Sequence, residues 1–108
     1  GDASIAGRMP KSGFSANSQA KVCAAAVAAL LAGTDPASPS FINTCYSLVA
    51  PDYGISVAAI YRIIDDGTIA PVAGAGGVSP SDAPASTRAL EAEYARGWYA
   101  SITSDMFG

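Results

Sequence analysis

Histidine is absent from this sequence of 108 residues, and cysteine occurs only twice, at Cys23 and Cys45. Without histidine, a catalytic triad of serine, histidine and aspartate is excluded. The sequence also has no CxxC pair, so no pattern typical of a structural zinc site is present and we predict no bound metal. Two cysteines can form one disulfide or remain separate, and their number does not decide between these alternatives.

Charged residues are scarce as well, at 14% of the sequence, and the six Lys and Arg are scattered rather than clustered. Nucleic-acid binding depends on a basic surface, so we expect no nucleic-acid partner for a chain of net charge −3. The longest strongly apolar run, residues 22–32, is far shorter than the ~20 residues that span a bilayer. No basic leader precedes an apolar segment, so the sequence predicts neither a transmembrane helix nor a targeting peptide.

Half of the residues are hydrophobic, which is a high share for a chain with so few charges. One interpretation is that part of the surface faces another domain, a cofactor or a subunit. The alternative is that the many small alanines raise the hydrophobic count without forming a patch. The chain also begins abruptly at Gly1-Asp2 without a methionine, which indicates a segment of something larger.

The first regular element is predicted to be a helix from Phe14 or Ser15 to Ala32, after an irregular loop. Ser12 or Ser15 can act as its N-cap, and Gly33 is a natural residue to end it. The alanine-rich stretch between them consists of strong helix formers.

From residue 41 the hydrophobic period changes to two, which predicts strands over residues 41–49 and 55–64. Pro51-Asp52 is expected to form the turn between them. Asp66-Gly67 is a strong hairpin signal, and a third short strand is predicted over residues 68–72. Neighbouring strands joined by tight turns indicate a three-stranded antiparallel meander.

After a predicted loop at residues 74–80, a final helix is expected over residues 85–104. Apolar residues recur in it at every fourth position and predict a buried stripe of Leu90, Tyr94, Trp98, Ile102 and Met106. Arg88 and Glu91 are spaced to pair on the surface, and Gly97 is expected to clear space for a close neighbour. The predicted fold class is therefore α+β.

Three local features have a chemical interpretation beside an ordinary one. The loop ending in Lys11, Ser12 and Gly13 precedes a helix N-terminus, which suits an anionic ligand atom such as the N1–C2=O edge of a reduced flavin. The ordinary reading is a capped helix. Cys45 is either a redox thiol or a small buried side chain, and Trp98 either faces a cofactor or belongs to the core. The residues alone leave these alternatives open.

Considered together, four segments resemble the flavoprotein subunit of flavocytochrome c sulfide dehydrogenase: GDASIAGRMPKSGFSANSQAKVCAAAVAALLAG, NTCYSLVAPDYGISVAAIYR, GAGGVSPSDAP and RALEAEYARGWYASITSDMFG. The resemblance implies a fragment of the two-nucleotide-domain flavin disulfide reductase fold. Residues 1–33 would then be the end of the FAD-binding domain, and residues 41–108 the C-terminal interface domain.

The resemblance also implies roles for individual residues. The opening loop and the indole of Trp98 would contact the cofactor. The helix after Gly13 would direct its N-terminus at the pyrimidine edge of FAD. Cys45 matches the redox cysteine, whose disulfide partner would lie elsewhere in the polypeptide. The residues implied to bind FAD are Gly1, Asp2, Lys11, Ser12, Gly13 and Trp98.

The activity implied by the resemblance is oxidation of sulfide to sulfur through a cysteine disulfide and FAD, with electrons passed to a periplasmic c-type cytochrome. The chain would act only together with the remainder of the flavoprotein. Two alternatives are a non-catalytic interface or dimerisation domain and a fragment of a sulfide:quinone oxidoreductase. The flavoenzyme reading requires the opening loop, Cys45 and Trp98 to surround one isoalloxazine ring. An interface domain predicts instead that Cys23 and Cys45 are inert or joined together.

Overall fold

A computed structural model describes residues 1–108, in which three strands follow one helix along the chain and precede a second. The elements are α1 (Gly13–Leu31), β1 (Ser40–Ala50), β2 (Tyr53–Ile63), β3 (Ile69–Val78) and α2 (Ala85–Phe107). The strands form one antiparallel sheet in the order β1-β2-β3. The predicted α+β class and the three-stranded meander are confirmed.

Both ends of α1 are closed by the residues that the sequence indicated. Ser12 has an extended backbone, and its Oγ accepts a hydrogen bond from the Ser15 N–H at 3.1 Å. At the other end Gly33 adopts a positive φ of 72°, which a side chain would disfavour. The N–H groups of Gly33 and Thr34 then bond back to the carbonyls of Leu30 and Ala29, both at 3.0 Å. These paired bonds form a Schellman end, which satisfies the last carbonyls of the helix.

The turn between β2 and β3 forms at Asp66-Gly67, as predicted. The Ile64 N–H bonds to the Thr68 carbonyl at 2.9 Å, and Gly67 takes a positive φ of 81°. One oxygen of the Asp66 carboxylate accepts hydrogen bonds from both the N–H and the hydroxyl of Thr68, at 2.8 and 2.6 Å. Those bonds lower the pKa of Asp66 below its ordinary value, the bond from the Thr68 side chain most of all.

The predicted loop at residues 74–80 is wrong, because β3 continues to Val78. If the ladder that starts at Ile64 and Thr68 were unbroken, Ser56 would pair with Gly76, because each lies eight residues from the turn pair. Instead, the Ser56 carbonyl bonds to the Ser79 N–H. The far end of β3 therefore carries three more residues than an unbroken ladder would hold. Gly74 and Gly76 have φ values of 74° and 154°, so the glycines absorb the extra length inside the strand.

Helix α2 extends three residues beyond its predicted end at Ser104, and its predicted buried stripe is mostly wrong. Tyr94 is 54% exposed and Met106 is 57% exposed, whereas Ile102 is buried as predicted. Residues four apart are offset by about 40° on a helix that turns about 100° per residue, so a strict four-residue stripe winds away from the core. The buried positions of α2 are Arg88, Ala92 and Ile102.

The chain groups into two compact units. The first unit comprises residues 1–43 and 59–76, and the second comprises residues 44–58 and 77–108. In the first unit the core consists of Met9, Phe41 and Tyr61. The predicted division into residues 1–33 and 41–108 refers to domains of the larger fold, and it stays a prediction.

In the second unit α2 lies directly on β2 at Gly54. A Cβ atom on Gly54 would come within 2.4 Å of the Ala92 backbone nitrogen. Gly97, where close approach was predicted, has no such neighbour, since a Cβ there would meet nothing within 4 Å. The close contact between helix and sheet therefore depends on Gly54, which the sequence did not single out.

No helix in this chain is long and apolar enough to cross a membrane.

Candidate functional site

The opening loop of the first unit brings three of the predicted cofactor residues together. Gly1, Asp2 and Lys11 line one small cavity of about 50 Å³. The Lys11 ammonium donates to the Asp2 carbonyl at 2.7 Å, and the Gly1 nitrogen donates to Gln19 Oε1 at 2.9 Å. The loop is thereby tied to α1, and the Lys11 charge is held close to the loop backbone.

Ser12 and Gly13 lie at the start of α1, which a buried asparagine fixes to β1. The hydroxyls of Ser12 and Ser15 both donate to Asn43 Oδ1, at 2.6 and 2.9 Å. Ser15 is 1% exposed and Asn43 is 3% exposed, so these bonds are shielded from water. Sequence reasoning missed Asn43, although a polar residue at an inward position of an alternating strand is the signal that indicates a buried partner.

The start of α1 offers positive charge and open space to a ligand atom. The first N–H groups of a helix carry partial positive charge and point outward along its axis. A Cβ atom on Gly13 would meet nothing within 4 Å, so a ligand atom can approach the backbone there. Lys11 precedes this helix end by two residues and adds a full positive charge. The arrangement suits an electron-rich carbonyl or an anionic ring nitrogen.

Cys45 and Trp98 both belong to the second unit. Cys45 is half-buried in β1, and Trp98 is half-buried on α2. The indole ring of Trp98 lies against Tyr46, with the ring centroids 6.1 Å apart and the planes inclined by 35°. Consecutive side chains of a strand point to opposite faces, so Cys45 and Tyr46 diverge across the sheet. Because β1 is an edge strand, a ring that reaches both Cys45 and Trp98 would have to lie along its free edge.

The two cysteines are not joined by a disulfide. Cys23 is exposed on α1, and Cys45 is half-buried in β1. The internal disulfide that one alternative allowed is therefore not formed. No group of three or more His, Cys, Asp or Glu side chains is placed to hold a metal ion.

A buried polar cluster joins α2 to the sheet within the second unit. Arg88 pairs with Glu91 at 3.3 Å, and the Ser56 hydroxyl donates to Glu91 Oε1 at 3.1 Å. The Ser79 hydroxyl donates to the same carboxylate oxygen, and Arg88 donates to the Pro80 carbonyl. The predicted Arg88–Glu91 pair forms, but it is buried rather than on the surface, since Arg88 is only 4% exposed.

The surroundings of Glu91 favour its charged form. The hydrogen bond from Ser79 lowers the pKa of Glu91 below its ordinary value, with further contributions from Ser56 and Arg88, although burial opposes the shift. The Arg88 guanidinium also lies over the ring of Tyr53, 5.2 Å from its centroid. Its Nε is buried without a hydrogen-bond partner. The cluster fixes the position of the helix that carries Trp98.

The sequence matches one known protein family over most of its length. Residues 37–107 match the family described as "Flavocytochrome c sulphide dehydrogenase, flavin-binding". The chain belongs to this family. The matched segment comprises 71 of the 108 residues, and the resemblance read from the sequence is confirmed. The family is a flavin-binding domain, as the predicted FAD cofactor requires, and it belongs to a flavocytochrome complex with a cytochrome partner.

The matched segment contains some of the predicted site residues and not others. It runs from just before β1 to the end of α2, so Cys45 and Trp98 lie within it. The predicted cofactor residues that precede it are Gly1, Asp2, Lys11, Ser12 and Gly13. Flavin binding is thus attributed to the segment that the sequence interpretation assigned to an interface domain. The roles of all these individual residues remain predictions.

Proposed function

We propose that this chain is the C-terminal part of a periplasmic sulfide dehydrogenase flavoprotein. In this proposal it oxidises sulfide to sulfur with the help of a cysteine disulfide and FAD, and electrons leave through a c-type cytochrome. The observation that carries the proposal is the family match over residues 37–107, which includes the half-buried thiol of Cys45. Cys23 lies outside that segment.

The chemistry proposed for Cys45 is thiol–disulfide exchange with hydrosulfide. Hydrosulfide attacks a disulfide between Cys45 and a cysteine outside this chain, so a new S–S bond forms while the old one breaks and one cysteine leaves as a thiolate. Bound FAD supplies the two-electron acceptor. Overall, one hydrosulfide gives one zero-valent sulfur atom, one proton and two electrons, and the disulfide is regenerated.

Helix α1 supports the part of the proposal that requires the remainder of the flavoprotein. Lys21 is its only charged residue, and Ser15 is its only buried one. Leu30 and Leu31 are exposed on it. Its second half, residues 22–31, carries only apolar side chains, and a helical segment that is apolar on all sides is typical of the interior of a larger protein. We propose that the preceding part of the same polypeptide covers it.

The opening loop and the start of α1 are proposed to receive the polar edge of FAD. Lys11 and the N-terminal N–H groups of α1 would stabilise negative charge on that edge. Asn43 would hold this helix end in place through its bonds to Ser12 and Ser15. Gly1 and Asp2 would contact the remainder of the cofactor from the same loop.

The proposal is tested with Cys45→Ser in the full-length flavoprotein and its cytochrome partner. Cys23→Ser is the matched control, because Cys23 lies outside the matched segment and takes no part in the proposed disulfide. We expect Cys45→Ser to abolish sulfide-dependent reduction of the cytochrome while bound FAD is retained, and Cys23→Ser to keep the wild-type rate. A Cys45→Ser protein that turns over normally would instead support a non-catalytic interface domain.

The choice of acceptor separates this proposal from a sulfide:quinone oxidoreductase. The same full-length protein is assayed with sulfide and either a c-type cytochrome or a soluble quinone. We expect rapid reduction of the cytochrome and little reduction of the quinone. The reverse order would favour the quinone-dependent alternative.

A further inference from the structure

The ring contact between Tyr46 and Trp98 fixes one face of the indole. The centroids are 6.1 Å apart, which lies within the range of attractive aromatic pairs. Tyr46 belongs to β1, whose backbone is held in the sheet, whereas Trp98 projects from α2. The orientation of the Trp98 indole on α2 therefore depends on the position of β1.

The indole of Trp98 keeps open surface beside its contact with Tyr46. Trp98 is itself only half-buried. A tryptophan side chain has several staggered rotamers, and packing against a neighbouring ring restricts them. Tyr46 supplies such a restriction from β1, and the indole keeps surface that a ligand can contact.

We propose that Tyr46 is a positioning residue for the flavin site, acting through Trp98. This inference rests on the proposed function, in which Trp98 contacts the flavin. Tyr46 follows Cys45 directly, so one strand would set both the position of the redox sulfur and the orientation of the indole. Tyr46 itself makes no contact with the reacting atoms in this proposal, because its ring is directed at Trp98.

The test uses the full-length FAD-containing flavoprotein and measures flavin emission per bound flavin. Indole in contact with a flavin quenches its emission by electron transfer, so emission reports the contact rather than stability. The variants are Trp98→Leu, Tyr46→Ala, Tyr46→Phe and the double variant of Tyr46→Ala with Trp98→Leu. Tyr99→Ala is the matched control, since Tyr99 is on the same helix and is 65% exposed.

We expect emission to rise in Trp98→Leu and, by a smaller factor, in Tyr46→Ala. Tyr46→Phe keeps the ring and should therefore retain the wild-type emission. The Tyr99→Ala control should retain it as well. The double variant should emit like Trp98→Leu alone, because Tyr46 acts through the indole. If Tyr46→Ala loses its flavin, Tyr46→Leu takes its place, since leucine removes the ring but fills more of the site.

The possible failures are distinguishable. Emission that rises in Trp98→Leu but stays at the wild-type level in Tyr46→Ala overturns the positioning role and leaves the proposed function standing. An added increase in the double variant shows that Tyr46 acts independently of Trp98, which also overturns it. Unchanged emission in Trp98→Leu would show that Trp98 does not contact the flavin, and it would overturn the positioning role as well.

Discussion

Gly54 and Ala92 meet backbone to backbone, so that a Cβ atom on Gly54 would lie 2.4 Å from the Ala92 nitrogen. Ala92 is completely buried at this contact. Gly54 has no side chain and Ala92 has only a methyl group, so α2 can lie directly on β2. Any added atom at Gly54 must displace backbone, which is stiffer than a side chain.

Gly54→Ala is therefore expected to destabilise the protein by about 1–3 kcal/mol, as overpacking does in well-packed interiors. Gly97→Ala is the matched control, because a Cβ there has open space and alanine favours a helix interior by about 1 kcal/mol over glycine. Thermal unfolding of the two variants should shift in opposite directions. Equal shifts would mean that the close approach at Gly54 does not limit packing.

Asn43→Ala should destabilise the first unit, because the Ser12 and Ser15 hydroxyls lose their shared acceptor. Leaving a buried polar group unsatisfied costs about 1–3 kcal/mol, and Ser15 is fully buried. Ser47→Ala, an exposed position of the same strand, is expected to have little effect. Urea unfolding of both variants measures the difference, and equal midpoints would contradict the role of Asn43.

Stability should fall at acidic pH in a way that depends on Glu91. Its pKa is lowered in the folded protein, chiefly by the Ser79 hydrogen bond, so the folded state binds that proton less readily than the unfolded chain. The stabilisation is present above the ordinary glutamate pKa of 4.5 and is lost as pH falls through the lowered value.

Glu91→Gln cannot ionise and should flatten this acid limb in a plot of melting temperature against pH. Glu93→Gln alters an exposed carboxylate on the same helix and should keep the wild-type profile. Parallel acid limbs for wild type and Glu91→Gln would assign the pH dependence to other carboxylates.

Arg88→Ala should be more damaging than loss of a surface arginine. It leaves the Glu91 carboxylate without its charged partner and the Pro80 carbonyl without its donor, and breaking a buried ion pair typically costs about 3–5 kcal/mol. Arg62→Ala, at an exposed position of β2, is the control. Similar melting temperatures for the two variants would show that the polar cluster contributes little.

Local signals made the secondary structure predictable. Ser12 and Gly33 mark the ends of α1 because their preferences act within a few residues and need no distant partner. Asp66-Gly67 fixed the β2–β3 turn for the same reason. The glycines at 74–77 gave the wrong answer, since glycine occurs in bulged strands as well as in loops, and only the pairing strand distinguishes the two.

Burial was less predictable, because it depends on tertiary contacts. Arg88 and Glu91 have the spacing of an exposed helical ion pair, yet the pair is buried. The partners that hold it there are Ser56 and Ser79, which donate to Glu91, and Pro80, which accepts from Arg88. The chemical site was predictable only through the family resemblance. Neither the Tyr46–Trp98 contact nor the Asn43 clamp follows from local sequence, because each joins elements far apart along the chain.

The surplus length in β3 separates the alignment of its two ends. Near the turn, Thr68 opposes Ile64 as a simple hairpin requires, whereas the bonding to Ser56 is shifted onward to Ser79. Trimming the glycines to straighten the strand would therefore draw Ser79 away from Ser56 and Glu91. Such a deletion would therefore disrupt the hydrogen bonds of the Glu91 carboxylate, although the glycines themselves make no contact with it.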